Sequence, residues 1–400
     1  VWLLSAVQST LIDMVDTWAT ECFDVLLEAW ISLIASFEEA RYCLPLPQTD
    51  RLTQLLTQYT DGLVDAYVTR RLVCAQLEAT RHANAIAQGE EGADELEEQF
   101  MDKTYTEDQL LAVAQIARLN GHRCIQLLSN AIRERTRVVG ECAAAEQASA
   151  AANSSNPSAG LPVSAKTAVF CAQEQLYWLI KLLGYLLCDT AEGSDASLIP
   201  APLMLLSKQS GGVDRDIVIQ GAQSVLEYVS VETQLVTHSK GFVALSPFLA
   251  ATVAWFLQLW SATYLLPSES LYTVISPYMW QAYGDGSHTC KQVLECITHK
   301  VCVNLLHWAE EEEVAVATCE LLHSLATSPR LRRVVGGCPS FQRLVESFLA
   351  LEHSGMGETH TGSGNHPLLN LKAPILGRLV QDLCLVEAAS SSSSSSSASS

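Results

Sequence analysis

Residues 175–207 read QLYWLIKLLGYLLCDTAEGSDASLIPAPLMLLS, and this stretch decides the fold. Its first half spaces apolar residues as one face of an α-helix requires, at Leu176, Leu179, Ile180, Leu183 and Leu187. Aromatic residues cover much of the remaining circumference, which predicts burial on more than one side. A polar acidic corner over 189–197 and two prolines then predict that a second apolar helix begins near Leu203. The stretch therefore predicts a buried pair of helices.

The same helical spacing recurs on both sides of this stretch. It predicts helices over 1–15, 17–36, 50–85, 106–119, 121–146, 216–236, 246–266 and 288–309. Pairs of helices recur roughly every 35–50 residues without a strict sequence repeat, which is typical of HEAT repeats. We therefore predict an all-α fold, an α-solenoid of HEAT-like antiparallel helix pairs. A globular all-α enzyme made of two bundles is the structural alternative.

Composition along the chain predicts its division into segments. HEAT-like repeats are expected over 1–147, with an acidic loop near 89–102, and again over 166–352. Between them, 148–165 is rich in Ala, Ser and Asn and is expected to be a disordered linker or insertion. We expect a flexible loop over 353–367, a terminal helical segment over 368–388 and a low-complexity serine tail over 389–400. The first residue is not a methionine, and we interpret the chain as a fragment or an incomplete gene product.

The chain is strongly acidic, with 24 Lys and Arg against 44 Asp and Glu and a net charge of −20. This balance argues against a nucleic-acid surface, which needs clustered cations, and it favours basic protein partners. The densest acidic run is a candidate partner-binding loop made of Glu90, Glu91, Asp94, Glu95, Glu97 and Glu98. The alternative interpretation of this acidic run is a solvated loop without a partner. The alternative interpretation of the net charge is that it only keeps the protein in solution.

Cysteine usage and hydropathy indicate a reducing compartment and no membrane span. The chain has 13 cysteines, and most fall within apolar helical faces, where a thiol acts as a small hydrophobic group. The longest apolar runs are interrupted by Lys181 or Gln258, and a span needs about 20 nearly uninterrupted apolar residues.

No motif in the sequence predicts catalysis, a metal site or a cofactor. Cys290, Cys296 and Cys302 are six residues apart, a step that rotates about 240° around a helix, so they point in different directions. His299 and Cys302 can approach each other, yet a core cysteine beside a half-buried histidine is the expected outcome. The aromatic stripe of Trp255, Phe256, Trp260 and Tyr264 is interpreted as core, with a ligand platform as the alternative.

Several separated blocks resemble one family in the same order. They are YWLI, GYLLCDT and LIP within 177–200, the segment 99–128, the WFL and W-x-x-TYLL block of 255–266, and 301–308. These blocks are similar to the central region of the exportin-4 family of nuclear transport receptors, in the importin-β (karyopherin) superfamily. The resemblance extends over residues 94–335. No N-terminal Ran-binding repeats are recognisable.

The resemblance implies a receptor that binds a cargo protein together with Ran-GTP in the nucleus and releases it after GTP hydrolysis. By resemblance, the cargo is the hypusine-containing translation factor, and nucleoporins are further partners. The receptor would shuttle between nucleus and cytoplasm through the nuclear pore. A non-transport scaffold built from the same HEAT repeats is the alternative function.

Overall fold

The computed structural model describes residue 6 and residues 17–88, 107–152, 163–189, 197–238, 245–268, 271–308 and 310–355. In chain order the helices are α1 (Thr17–Ala40), α2 (Leu46–Gln88), α3 (Glu107–Ala117), α4 (Gly121–Ala152), α5 (Val163–Leu187), α6 (Ala201–Lys208), α7 (Ile217–His238), α8 (Pro247–Tyr264), α9 (Pro277–Tyr283), α10 (His288–His307), α11 (Glu312–Thr327), α12 (Pro329–Gly336) and α13 (Pro339–Gly355). Short 3₁₀ turns stand at Arg118–Asn120 and Val213–Arg215.

The predicted all-α fold class is confirmed. Within the described ranges, the one element of β geometry is an isolated bridge between Asp189 and Leu198. Each helix packs on a few neighbours, which is consistent with an α-helical solenoid. The predicted insertion 148–165 is helical at its ends, because α4 continues to Ala152 and α5 begins at Val163. Residues 153–162, the acidic loop and residues 356–400 lie outside the described part.

The described residues form two compact units, which divide within α7 between Tyr228 and Val229. Unit 1 contains α1 to α6 and the first half of α7. Unit 2 contains the second half of α7 and α8 to α13.

Helix α5 is the centre of unit 1 and packs against α2, α3 and α4. Its apolar residues are buried around the whole helix, as the sequence predicts: Leu176, Ile180, Leu183 and Leu187 have no exposed area, and Tyr177 and Trp178 are also buried. Such a helix has to be covered on all sides, because apolar surface is stabilised by removal from water. Gly221 of α7 permits one close approach, since a Cβ there would lie 2.8 Å from the Ile125 side chain.

Several helices of unit 2 begin at signals that are visible in the sequence. A serine side chain accepts a hydrogen bond from the first turn of α8, α10 and α12, at Ser246, Ser287 and Ser328. In α8 and α12 a proline follows this serine, where its missing N–H costs no hydrogen bond.

The aromatic stripe of α8 belongs to the core of unit 2. Phe256, Trp260 and Tyr264 are buried, while Trp255 is half-buried. The Trp260 ring stacks on Tyr264 at 6.1 Å and meets Tyr283 of α9 edge-on at 5.3 Å. These contacts support the interpretation of the stripe as packing residues.

One ion pair in unit 2 is fully removed from solvent. Lys300 Nζ of α10 lies 2.8 Å from the Glu232 carboxylate of α7, and their side chains are 0% and 1% exposed. Taking two charges out of water is costly, and their mutual attraction offsets that cost only while both are present. The pair therefore fixes how these two helices pack.

We expect Lys300→Met to destabilise unit 2 by about 3–5 kcal/mol, because it leaves the Glu232 carboxylate buried without a counter-charge. The double variant Lys300→Met/Glu232→Leu should recover most of this loss, since neither charge remains. Urea unfolding of the two single variants and the double variant measures the coupling. A double variant as unstable as the sum of both single variants would contradict this explanation.

Candidate interaction surface

The acidic loop predicted as a partner-binding site connects α2 and α3 in unit 1. Its six carboxylate residues, Glu90, Glu91, Asp94, Glu95, Glu97 and Glu98, lie outside the described residues. The structure does describe the helices on both sides, which end at Gln88 and begin at Glu107. The structure therefore shows the helices between which this segment lies in the chain.

Helix α3 begins nine residues after Glu98, and its own first turn is also acidic. Glu107 and Asp108 stand in that turn, where negative charge is favoured by the helix dipole. The Glu107 carboxylate accepts a hydrogen bond from Lys181 Nζ of α5 at 2.6 Å. The neighbouring Tyr185 hydroxyl also bonds to Glu107, and burial together with this carboxylate raises the Tyr185 pKa. The first turn of α3 is thus held against α5 by Lys181.

A polar network lies beside this attachment and joins four helices of unit 1. Gln109 of α3 donates a hydrogen bond to Asp24 of α1 at 2.7 Å and accepts one from Arg71 of α2 at 3.0 Å. The Arg71 guanidinium lies 4.7 Å from the ring centroid of Trp178 on α5 and 5.5 Å from that of Tyr67. Burial raises the pKa of the Asp24 carboxyl, partly offset by its bond to Gln109.

A second acidic segment leaves the C-terminal end of α5, and Arg118 holds its start. The Arg118 guanidinium donates hydrogen bonds to the carbonyls of Tyr185 (2.8 Å), Leu186 (3.2 Å) and Cys188 (2.9 Å). It also pairs with the Asp189 carboxylate at 3.2 Å. The last carbonyls of a helix have no partner within the helix, so one buried cation here satisfies several of them.

The ends of this second segment are joined by two backbone hydrogen bonds. The Asp189 N–H donates to the Leu198 carbonyl at 2.8 Å, and the Leu198 N–H returns the bond at 3.1 Å. Residues 190–196, which include Glu192 and Asp195, lie outside the described part. Lys181 and Asp189 are eight positions apart, or about 12 Å along a helix axis. Helix α5 therefore carries two anchoring contacts, one to the first turn of α3 and one at its own C-terminal end.

The described part of the chain contains a pocket of about 480 Å³ in unit 2. Cys290 and Cys338 line it, and burial raises the pKa of each thiol to about 11. A thiol of this pKa is protonated at neutral pH and is a poor nucleophile. The Glu295 carboxylate in the wall accepts hydrogen bonds from Ser340 N (3.2 Å) and Oγ (2.5 Å). The Glu295 carboxylate thus binds the first turn of α13.

The cysteine and histidine residues considered from the sequence are not brought together. Cys302 donates its thiol hydrogen to the Ser340 carbonyl at 3.0 Å, rather than to His299. Cys188 and Cys302 are buried, whereas Cys171, Cys296 and Cys319 are half-buried. Among the residues that the structure describes, no three His, Cys, Asp or Glu side chains are grouped to hold a metal ion. In the same residues, no helix has the length and apolar character to cross a membrane.

The sequence does not reveal Arg118 or the pairing of Lys181 with Glu107. Arg118 stands in a three-residue 3₁₀ turn with no motif around it, and its partners are about 70 residues away. Lys181 interrupts an apolar run, and this is the one local signal for a buried cation that needs a carboxylate.

Comparison with known proteins gives two matches. A family model described as Exportin-4 matches residues 3–350. Exportin-4 of Dictyostelium discoideum is 28% identical over 350 residues, an alignment that covers 83% of this chain and 28% of that protein. The chain thus spans little more than a quarter of the length of this relative. Both matches confirm the family resemblance seen in the sequence.

We expect Arg118→Ala to destabilise unit 1 by roughly 2–4 kcal/mol, because it leaves several carbonyls of the α5 C-terminus without a donor. The stability of Arg118→Lys should lie between that of the unmodified chain and that of Arg118→Ala, since an ammonium lacks the planar fork of donors. The control is Arg137→Ala, which removes an exposed pair with Glu141 and should cost less than about 0.5 kcal/mol. Thermal unfolding measures both, and equal costs at the two arginines would contradict the role given to Arg118.

Proposed function

Because the chain belongs to the exportin-4 family, we propose that it forms part of a nuclear transport receptor that binds a cargo protein together with Ran-GTP. The observation that carries this proposal is the family match over residues 3–350, which extends across both units. Receptors of this family transport proteins rather than catalyse reactions, so the proposed activity is binding.

The proposed cycle takes the receptor and its cargo from the nucleus to the cytoplasm through the nuclear pore, with nucleoporins as further partners. GTP hydrolysis by Ran then releases the cargo. By family resemblance, the proposed cargo is the hypusine-containing translation factor. Since the chain spans 28% of its matched relative, Ran-GTP is proposed to bind mainly through other parts of the full-length receptor.

Within this chain, we propose that the acidic segment from Glu90 to Glu98 contacts a basic partner. Its charge is suited to such a partner, because carboxylates without nearby cations attract positive charge over a Debye length of about 8 Å at physiological salt. The bond between Lys181 and Glu107 supports this role, because it fixes the start of α3, the helix that follows the segment in the chain. A second acidic segment beyond Asp189 would add to the same field.

The transport proposal is tested with the full-length receptor and immobilised Ran. We expect retention on Ran-GTP in the presence of cargo and little retention on Ran-GDP. Equal binding to both forms, or binding to neither, would overturn the export function. Binding of cargo without any dependence on Ran would favour the alternative, a non-transport HEAT-repeat scaffold.

The same assay tests the acidic segment. Glu90, Glu91, Glu95 and Glu97 are changed to Gln, and the expected result is a roughly tenfold weaker association with cargo at low salt. The matched control carries the same loss of charge at four exposed glutamates, Glu39, Glu310, Glu320 and Glu346. A similar loss in both variants would assign the effect to net charge and exclude a local role for the segment.

A further inference from the structure

The helical positions of apolar residues on α1 and α2 indicate an apolar groove along these two helices of unit 1. On α2 its residues are Leu52, Leu55, Tyr59, Gly62, Ala66, Val73 and Leu77, which are three or four residues apart except for the step of seven from Ala66 to Val73. Of these, Leu52, Leu55, Val73 and Leu77 are 38–51% exposed. On α1, helical spacing places Leu26, Ala29 and Leu33 together on the side next to the buried residues Phe23 and Trp30. Large exposed apolar side chains grouped in this way are uncommon on the surface of a monomeric protein.

The groove is a second apolar face of α2, distinct from its core face. The core face carries Leu56, Leu63, Val64 and Tyr67, which are buried. Each residue of an α-helix turns by about 100°, and on this basis the mean direction of the groove residues differs from that of the core residues by about a quarter of a turn. A helix that is apolar on two faces packs against neighbours on both. Within the groove Tyr59, Gly62 and Ala66 are half-buried, whereas the large apolar residues towards its two ends are exposed.

The register of α1 against α2 is fixed by two contacts. The Phe23 ring stacks on Tyr67 at 5.9 Å, and Trp30 Nε1 donates to Thr60 Oγ1 at 3.3 Å. The two partners are seven residues apart on each helix but in opposite order, so the helices are antiparallel. Extending this register by six residues brings the start of α1, Thr17, to the level of Val73.

We propose that residues 1–15 form an amphipathic helix that docks in this groove. Leu4, Val7, Leu11 and Met14 follow the spacing of one helical face, and the opposite face carries Ser5, Ser9 and Asp13 together with Trp2. The segment has no Lys, Arg or Glu. Ala6, which the structure describes, is helical.

The length and attachment of the segment match the groove. It joins α1 through Asp16, at the level of Val73, and 15 residues of helix extend about 22 Å. From Val73 back to Tyr59 is about 21 Å of helix axis. Gly62, Ala66 and Ala29 are small and allow the helix axes to approach closely. The apolar face of the docked helix would therefore lie over the middle of the groove. Its Ser5, Ser9 and Asp13 would face solvent.

Hydrogen–deuterium exchange of the full chain tests this proposal. Amides of residues 4–15 are expected to be protected, and Ala66→Glu should lower their protection at least roughly tenfold, because it introduces a charge into the groove. Protection in α4 and α5 should stay unchanged. The control is Gln54→Glu, at an exposed position of α2 away from the groove. Random-coil exchange rates in residues 4–15 of the unmodified chain would overturn the proposal.

A charge-pair rescue separates direct docking from a general loss of stability. Val7→Lys alone should also release the segment, and Val7→Lys combined with Ala66→Glu should regain a substantial part of the protection. An absence of rescue, with each single variant unfolding α2 as well, would contradict direct contact. Protection that rises with protein concentration alongside a dimer in sedimentation would assign the groove to a second copy of the chain and overturn the proposal.

Discussion

The structure depends on one physical constraint, which is that each helix has to bury its apolar surface against neighbouring helices. Helix α5 is the strongest case, because it is apolar around its circumference and is covered by α2, α3 and α4. Helices α8 and α11 cover each other in the same way in unit 2, as do α10 and α13. Stability is therefore local, and segments between helices can vary without loss of the core.

Buried cations determine where the chain leaves these packed helices. Arg118 binds the carbonyls at the end of α5 and pairs with Asp189, while Lys181 binds Glu107 at the start of α3. Both cations are largely buried and both have carboxylate partners, so each fixes a connection as well as a helix. The same helix that carries the family resemblance thus also holds the start of α3, the helix that follows the acidic segment proposed to meet a basic partner.

Helical periodicity predicted most of the helices, because apolar spacing and serine or proline starts are local signals. It located α5, α8 and α10 correctly, and the aromatic stripe around Trp260 was correctly interpreted as core. It did not predict the buried pair of Lys300 with Glu232, since these residues are 68 positions apart and each reads as a surface residue alone. Nor did it find the cap by Arg118, whose partners are brought close only by the packing of α5. The alanine-rich residues 148–152, which the composition placed in a disordered linker or insertion, continue helix α4, since alanine favours a helix.

The central proposal is that this chain is part of a receptor that carries protein out of the nucleus. The most direct measurement is the nuclear-to-cytoplasmic ratio of the proposed cargo, the hypusine-containing translation factor, in cells with and without the full-length receptor. We predict that the cargo accumulates in the nucleus when the receptor is removed and returns to the cytoplasm when the receptor is restored. An unchanged ratio for this cargo and for the other proteins that bind the receptor would contradict it.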